Sequence, residues 1–393
     1  MNKPVALKKG DKVALVSLSS GILGEDFCKH QVKLGIQRLQ EFGLEPIFMP
    51  NALKGMSYIK ENPKARAEDL KQAFYDDHIK GIICVIGGDD TYTLLPFLME
   101  DYQFIEKVKT CPKLFTGFSD TTINHLMFYK LGIQTFYGPN FLCDLAELGK
   151  EMIPYTKNAF ESYFTAGQKE MLSSPIWYEE RTDFSAHSVG IERTAHEETR
   201  GYEVLQGEGI FRGRLLGGCL ESLYDMLTTN RYEDQKEVCE KYGIFPSLEK
   251  WKGKVLFLET CEEKPAPEKV EMELNALKER GIFEVVNGIL VGKPQDEAYY
   301  EEYKAVYKKV ISNKKLPILY NVNFGHSTPR GVLPYGSLVE VDLTNKKLFL
   351  KKTGLRQSNT IILEKIVYHI FISLIEVAIK VSFPGKVELL IIK

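Results

Sequence analysis

The first 140 residues alternate short apolar runs with longer segments of helical periodicity, and this alternation constrains the fold more than any other feature. Val13–Ser17 (VALVS) is β-rich, and residues 25–42 carry apolar positions at helical spacing before Gly43, a plausible C-cap. Pro46–Met49 reads as a strand, and Pro63–Asp77 as a helix with Asn62 at its N-cap. Gly81–Ile86 (GIICVI) is apolar throughout, which predicts a strand covered on both faces. A helix over Thr93–Lys107, a strand at Lys113–Thr116, a helix after Ser119 and a strand at Ile133–Tyr137 continue the series. Strands separated by helices pair in parallel, so the expected fold class is α/β, with an N-terminal doubly wound sheet. Ligands of such sheets sit beyond the carboxyl ends of the strands, where Gly87–Asp90 and Gly117–Asp120 fall.

After about residue 165 the pattern changes. Ser173–Gly209 is polar, contains Trp177, and reads as a long loop or linker. Short apolar runs with turn residues follow, at 255–258, 288–291, 317–322, 337–341 and 347–350, with helical stretches near 220–228 and 267–280. The expected organisation is an α/β domain over 1–165, a linker or substrate loop over 166–209, and a smaller β-rich C-terminal domain with helices over 210–350. A tail over 351–393 remains unassigned. Within it Ile366–Phe383 approaches the length of a membrane span, but His369, Ser373, Glu376 and Lys380 interrupt it on one helical stripe, which favours an amphipathic helix.

The formal net charge is −2 without a basic block, which argues against a nucleic-acid partner. The N-terminus lacks the apolar stretch of a signal peptide, so a cytoplasmic protein without membrane attachment is expected. The seven cysteines are scattered without a Cys-x-x-Cys pair and read as reduced, buried thiols.

In Gly117-Phe118-Ser119-Asp120-Thr121 a serine stands at a strand-to-helix corner, where its hydroxyl can be exposed beside the next backbone N–H. The competing role is a helix cap. Gly87-Gly88-Asp89-Asp90-Thr91 follows the apolar strand; its glycines let the backbone approach a ligand. A tight turn, or the phosphate loop of a nucleotide-dependent kinase, are its alternatives, although GxxxxGK[ST] is absent. Of seven histidines, His326 stands on a turn-rich loop after a strand, the placement expected of a base; Glu259 ends the apolar run KVLFLET and can orient an imidazole. Its neighbours Glu262 and Glu263 read as solvated. Ser119, Glu259 and His326 together make a coherent acyl-transfer site.

Five separated motifs, GGDDT, GFSDTT, GRLLGGCLESL, LFLETCEEKPAPEKVE and NVNFGHSTPRGVLPYG, resemble the serine peptidase family of the LD-carboxypeptidases of murein recycling and the microcin C self-immunity peptidases. They run in the family's order from about residue 8 to 345. The resemblance implies an N-terminal α/β domain and a smaller β-rich domain with the site between them. It implies Ser119 as nucleophile, Glu259 as orienting acid, His326 as base, and the amides of Gly88 and Asp120 as the oxyanion hole. It further implies a homodimer and no metal or cofactor. LETCEEKPAPEKVE, NVNFGH and GGCLES look closer to the microcin immunity branch. In that branch the segment around Trp177 would hold a nucleotide-like group, with Gly87, Gly218 and Cys219 also at the substrate; an indole anchoring the linker is the structural alternative. The expected substrate is a short peptide or peptidyl-nucleotide with an acidic residue at the cleaved bond. A murein tetrapeptide is the first alternative, and a kinase or a non-catalytic binding protein are those of other classes.

Overall fold

The computed structural model describes residues 1–351 and 354–356. The unassigned tail and its expected helix lie outside the described residues. Residues 1–355 form one compact unit.

Five parallel strands come from the first 140 residues: Lys12–Val16 (β1), Glu45–Phe48 (β2), Ile79–Cys84 (β3), Leu114–Gly117 (β4) and Phe136–Tyr137 (β5). Short strands follow at Lys169–Met171 (β6), Ile176–Tyr178 (β7), Ala195–Glu197 (β8) and Glu203–Gln206 (β9). The remainder are Ile210–Cys219 (β10), Lys254–Glu259 (β11), Gly288–Gly292 (β12), Ile318–Val322 (β13), Leu333–Pro334 (β14), Leu338–Asp342 (β15) and Lys347–Leu350 (β16). The first sheet has the order β14-β5-β4-β3-β1-β2, and the second the order β6-β16-β15-β10-β11-β12-β13-β9. In the second, β10 to β13 are parallel and the flanking strands antiparallel. The molecule is therefore α/β, with a parallel N-terminal sheet and a β-rich C-terminal region with helices.

Apart from the exposed Lys80, β3 is buried along its length, and Ile82 and Ile83, which face opposite ways, are fully buried in two separate apolar clusters. Each such side chain contributes roughly 2 kcal/mol of transfer free energy. Helix Thr121–Lys130, which follows Ser119, has eight of its ten residues buried, so the corner that precedes it is anchored from behind. His125 within that helix is a core residue. Its Nδ1 meets Thr135 Oγ1 at 2.8 Å and its Nε2 the Gly117 carbonyl at 3.0 Å, and burial holds it neutral by pushing its pKa down to about 3.

Three local expectations differ from the fold. The helix expected over Thr93–Lys107 is divided into a 3-10 turn Thr91–Leu94 and helices Leu95–Met99 and Tyr102–Thr110. Pro96 opens the first helix, and Asp101 restarts the next by accepting a hydrogen bond from Phe104 N at 3.0 Å. Asn62 occupies an N-cap position but does not cap; its side chain donates to the Tyr58 carbonyl instead (2.9 Å). The polar stretch 173–209 contains β7, β8 and β9 rather than loop alone. It is fastened by buried charge, because Arg181 and Arg193 both hold Glu147 (2.6 and 2.7 Å) and Lys293 holds Glu198 (2.9 Å). Among the described residues no helix is long and apolar enough to cross a membrane, and all seven cysteines are free thiols.

Candidate active site

The site residues stand at carboxyl ends of parallel strands, where chain must turn and side chains can leave the sheet. Gly87 and Gly88 follow β3, Ser119 follows β4, Cys219 and Glu259 end β10 and β11, and His326 follows β13. Cys219 and Glu259 are register partners, which brings the ends of their strands side by side.

Ser119 has φ +66°, a left-handed conformation rare for a residue with a Cβ, at the corner between β4 and the buried helix. The helix N-cap is Asp120, not Ser119. The Asp120 carboxylate turns away from its own helix to accept from Ser19 Oγ (2.7 Å) and Thr91 N (2.8 Å), and burial pushes its pKa up to about 6 against these bonds. The Ser119 N–H donates to the Tyr137 hydroxyl (3.1 Å), and the Ser119 side chain faces a cleft of about 450 Å³. Gly87, Gly88, Phe118, Glu262 and His326 line the same cleft. A Cβ on Gly87 would lie 2.6 Å from Ser119 Cβ and 2.9 Å from its Oγ, so only glycine lets the loop pass this close.

His326 is buried, and its Nδ1 lies 2.8 Å from Glu259 Oε2; the same oxygen accepts the His326 backbone N–H at 3.0 Å. The other Glu259 oxygen accepts from Tyr137 Oη. Tyr137 therefore links the carboxylate to the backbone of Ser119. The Phe118 ring stands edge-on to the His326 imidazole with centroids 5.1 Å apart, which seats the serine corner against the histidine loop. Arg330 holds that loop: its Nη2 donates to the His326 carbonyl (2.9 Å), its Nη1 binds buried Asp144, and its guanidinium lies 4.1 Å from the Phe118 ring centre.

The free nitrogen of His326 is occupied. Nε2 lies 3.0 Å from Glu262 Oε2. Burial alone would depress the histidine, but the charge and hydrogen bond of Glu259, joined by Glu262, outweigh it and push its pKa up to about 10. Reciprocally, the hydrogen bond to His326 draws Glu262 down to about 2. Glu262, expected to be solvated, is exposed yet engaged at the imidazole.

The structure thus sets Ser119, Gly87, Gly88 and His326 on one cleft, with Glu259 buried behind the imidazole. Cys219 lines a smaller pocket of about 40 Å³ on the other side of Ser119, with Gly88 and Glu262 also on its wall. Gly218 lies behind it against Thr122. Trp177 does not line the cleft: its indole stacks on His196 (centroids 4.2 Å, planes 18° apart), with Lys293 Nζ 5.1 Å from the ring centre. It is nonetheless tied to the site, since Tyr178 N donates to the Thr328 carbonyl two residues after His326 (2.9 Å). Cys219, Glu259 and His326 bring sulfur, oxygen and nitrogen atoms within 4.8 Å of one another, but both ring nitrogens of His326 are already engaged by carboxylates, which leaves no lone pair for a cation. Sequence reasoning missed Tyr137, Glu262 and Arg330. Tyr137 carried a signal, the end of an apolar strand; the other two carried none.

Residues 13–138 match the LD-carboxypeptidase N-terminal domain and residues 212–341 the LD-carboxypeptidase C-terminal domain. A putative carboxypeptidase of Treponema pallidum is 28% identical over 88% of this chain and 93% of its own. The microcin C7 self-immunity protein MccF of Escherichia coli is 25% identical over 81% of this chain and 88% of its own. Among solved structures, an MccF-like protein from Streptococcus pneumoniae in complex with AMP is 51% identical, covers 86% of this chain and 98% of its own, and superposes with a TM-score of 0.83.

Proposed function

The chain belongs to the LD-carboxypeptidase family of peptidases, and from that premise we propose a serine hydrolase in which Ser119, His326 and Glu259 act as one proton relay. Ser119 Oγ attacks an amide carbonyl while His326 Nε2 takes its proton. Glu259 holds Nδ1–H, fixes the tautomer and stabilises the imidazolium. The backbone N–H groups of Gly88 and Asp120 receive the developing oxyanion. Proton return from His326 releases the amine, and water, activated by the same base, clears the acyl-enzyme. In this scheme residues 1–165 supply the nucleophile, 210–350 the acid and base, and 166–209 the substrate loop. The observation that carries the proposal is the buried 2.8 Å pairing of His326 with Glu259 on a cleft shared with a strained Ser119.

The substrate we propose is a short peptide or peptidyl-nucleotide with an acidic residue at the scissile bond. Its nucleoside would lie on Trp177 once His196 yields its place on the indole. The AMP in the S. pneumoniae relative supports a nucleotide-bearing ligand. The resemblance to the LD-carboxypeptidases of murein recycling keeps a murein tetrapeptide as the second candidate. The resemblance to the family adds a cytoplasmic homodimer, with light scattering as its check. Intact-mass measurement after incubation with an aspartyl-sulfamoyl adenylate and with a murein tetrapeptide tests acylation and substrate together. A +acyl species that vanishes in Ser119→Ala is expected. Turnover that requires ATP or Mg²⁺ and survives Ser119→Ala would replace the proposal with a kinase, and absence of both turnover and adduct would replace it with a binding protein.

A further inference from the structure

The nitrogen that a serine base must present is not facing empty space. His326 Nε2 is in contact with the carboxylate of Glu262, three residues beyond the Glu259 that holds Nδ1. Both ring nitrogens are thus bound to carboxylates, an arrangement only an imidazolium satisfies, since a neutral ring has one N–H to donate. We propose that Glu262 is a positioning residue that clamps His326 in a charged resting state and must withdraw from Nε2 before Ser119 can be activated. This rests on the serine-hydrolase reading and adds a step to it.

The surroundings supply what such a clamp needs. Glu262 is an exposed side chain on the partition between the 450 Å³ cleft and the small pocket, so it can move without disturbing the core. Arg231 lies on the small-pocket wall, already paired with Asp225 (3.2 Å) and Asp89 (3.6 Å), and its charge acts on Glu262. The carboxylate therefore has a second cation to turn towards. Glu259 cannot move in this way. It is buried and held by the His326 N–H and Tyr137. Among the described residues, the other titratable or charged groups about His326 include the Cys219 thiol and Tyr137 hydroxyl on the strand side, Arg330 with Asp144 behind its own loop, and Cys143, Glu180 and Arg193 on the cleft wall. Among them only Glu262 is seated on Nε2.

The proton balance is explicit. The resting ring carries protons on Nδ1 and Nε2. As Glu262 leaves as a carboxylate, Nε2 is opened to water, the Nε2 proton passes to solvent, and a neutral ring remains with Nδ1–H on Glu259. The vacated Nε2 then accepts the Ser119 hydroxyl proton as Oγ bonds to the substrate carbon. Raised basicity of the clamped ring follows from the two carboxylates, and it places the acid limb of the rate above neutral pH.

The test compares wild type, Glu262→Gln, Glu262→Ala and, as a neighbouring-charge control, Glu263→Gln. The pH dependence of kcat/KM on the hydrolysed amide and the rate of Ser119 labelling by a fluorophosphonate are measured from pH 5 to 10. Both Glu262 variants should bring the acid limb down by at least about one pH unit and label about tenfold faster near pH 6.5, whereas Glu263→Gln should leave the limb in place. An unmoved limb in both Glu262 variants, or an equal shift in Glu263→Gln, overturns the clamp. Labelling that persists in Ser119→Ala would instead overturn the hydrolase reading beneath it, so the two failures are distinguishable.

Discussion

Glu259→Gln is the perturbation that interrogates the relay most directly. The replacement keeps the volume at a site that is 1% exposed, so no cavity forms. It removes the charge facing Nδ1 at 2.8 Å and substitutes an amide for an oxygen that now accepts two N–H groups, from the His326 backbone and its ring. One of those donors then meets either a shared carbonyl or an NH₂ group. The interval between the ordinary histidine value of 6.5 and about 10 corresponds to roughly 5 kcal/mol of preference for the charged ring. Glu259 supplies the larger favourable part, so on the order of 3 kcal/mol should disappear with its charge. For turnover, the wrong tautomer and an unsupported imidazolium predict a fall in kcat of about 10³–10⁴-fold. For stability, folded His326 binds more protons than the unfolded residue between pH 6.5 and about 10. Its contribution is complete below pH 6.5 and lost as pH rises through 10, with a slope of up to about 1.4 kcal/mol per pH unit. Urea denaturation of both proteins at pH 7 and pH 9.5 should show wild type losing more stability across the interval than Glu259→Gln. Parallel losses, or turnover within tenfold of wild type, would refute the electrostatic account.

Four further outcomes follow from the geometry. Gly87→Ala should abolish Ser119 labelling while circular dichroism stays native, because the added methyl falls 2.9 Å from the Ser119 Oγ position. Tyr137→Phe should cost about 1–3 kcal/mol in urea denaturation and lower kcat about tenfold, since it orphans a Glu259 oxygen and the Ser119 N–H together. Arg330→Met should destabilise by about 3–5 kcal/mol, since it leaves buried Asp144 without its cation; Asp144→Asn in the same background should recover part of that loss. Trp177→Ala should weaken AMP binding about tenfold by calorimetry and leave fluorophosphonate labelling of Ser119 unchanged, as the indole lies outside the serine cleft.

Much of the framework could be read without coordinates. The fully apolar GIICVI run and its helical neighbours imply a covered parallel sheet, because only burial on both faces tolerates such a strand, and parallel strands oblige their loops to meet at one end. That is why the loops carrying Gly87 and Ser119 could be placed together at one end of the first sheet, whereas Glu259 and His326, on strands of the second sheet, were joined to them only by the coherence of their chemistry and by the family resemblance. Local punctuation was less legible. Pro96 and Asp101 divide a segment whose periodicity suggests one helix, and the strands of the polar stretch 173–209 pair with each other or with the distant β13 while Glu147 and Lys293 hold the stretch by ion pairs from far positions.

Pairings across the fold were decided by tertiary structure alone. β14 crosses from the C-terminal region to extend the N-terminal sheet beside β5, which no local pattern announces. Tyr137 reaches Glu259 from 122 positions away, and Arg330 reaches Asp144 from 186. Glu262 is the sharpest case: by composition and place it is a solvated acid, and only the approach of the histidine loop puts it on Nε2. Periodicity and turn chemistry act over a few residues, so a sequence states which segments become strands and where they end. The partner of a charged side chain is set by which ends converge, and that is a property of the folded whole.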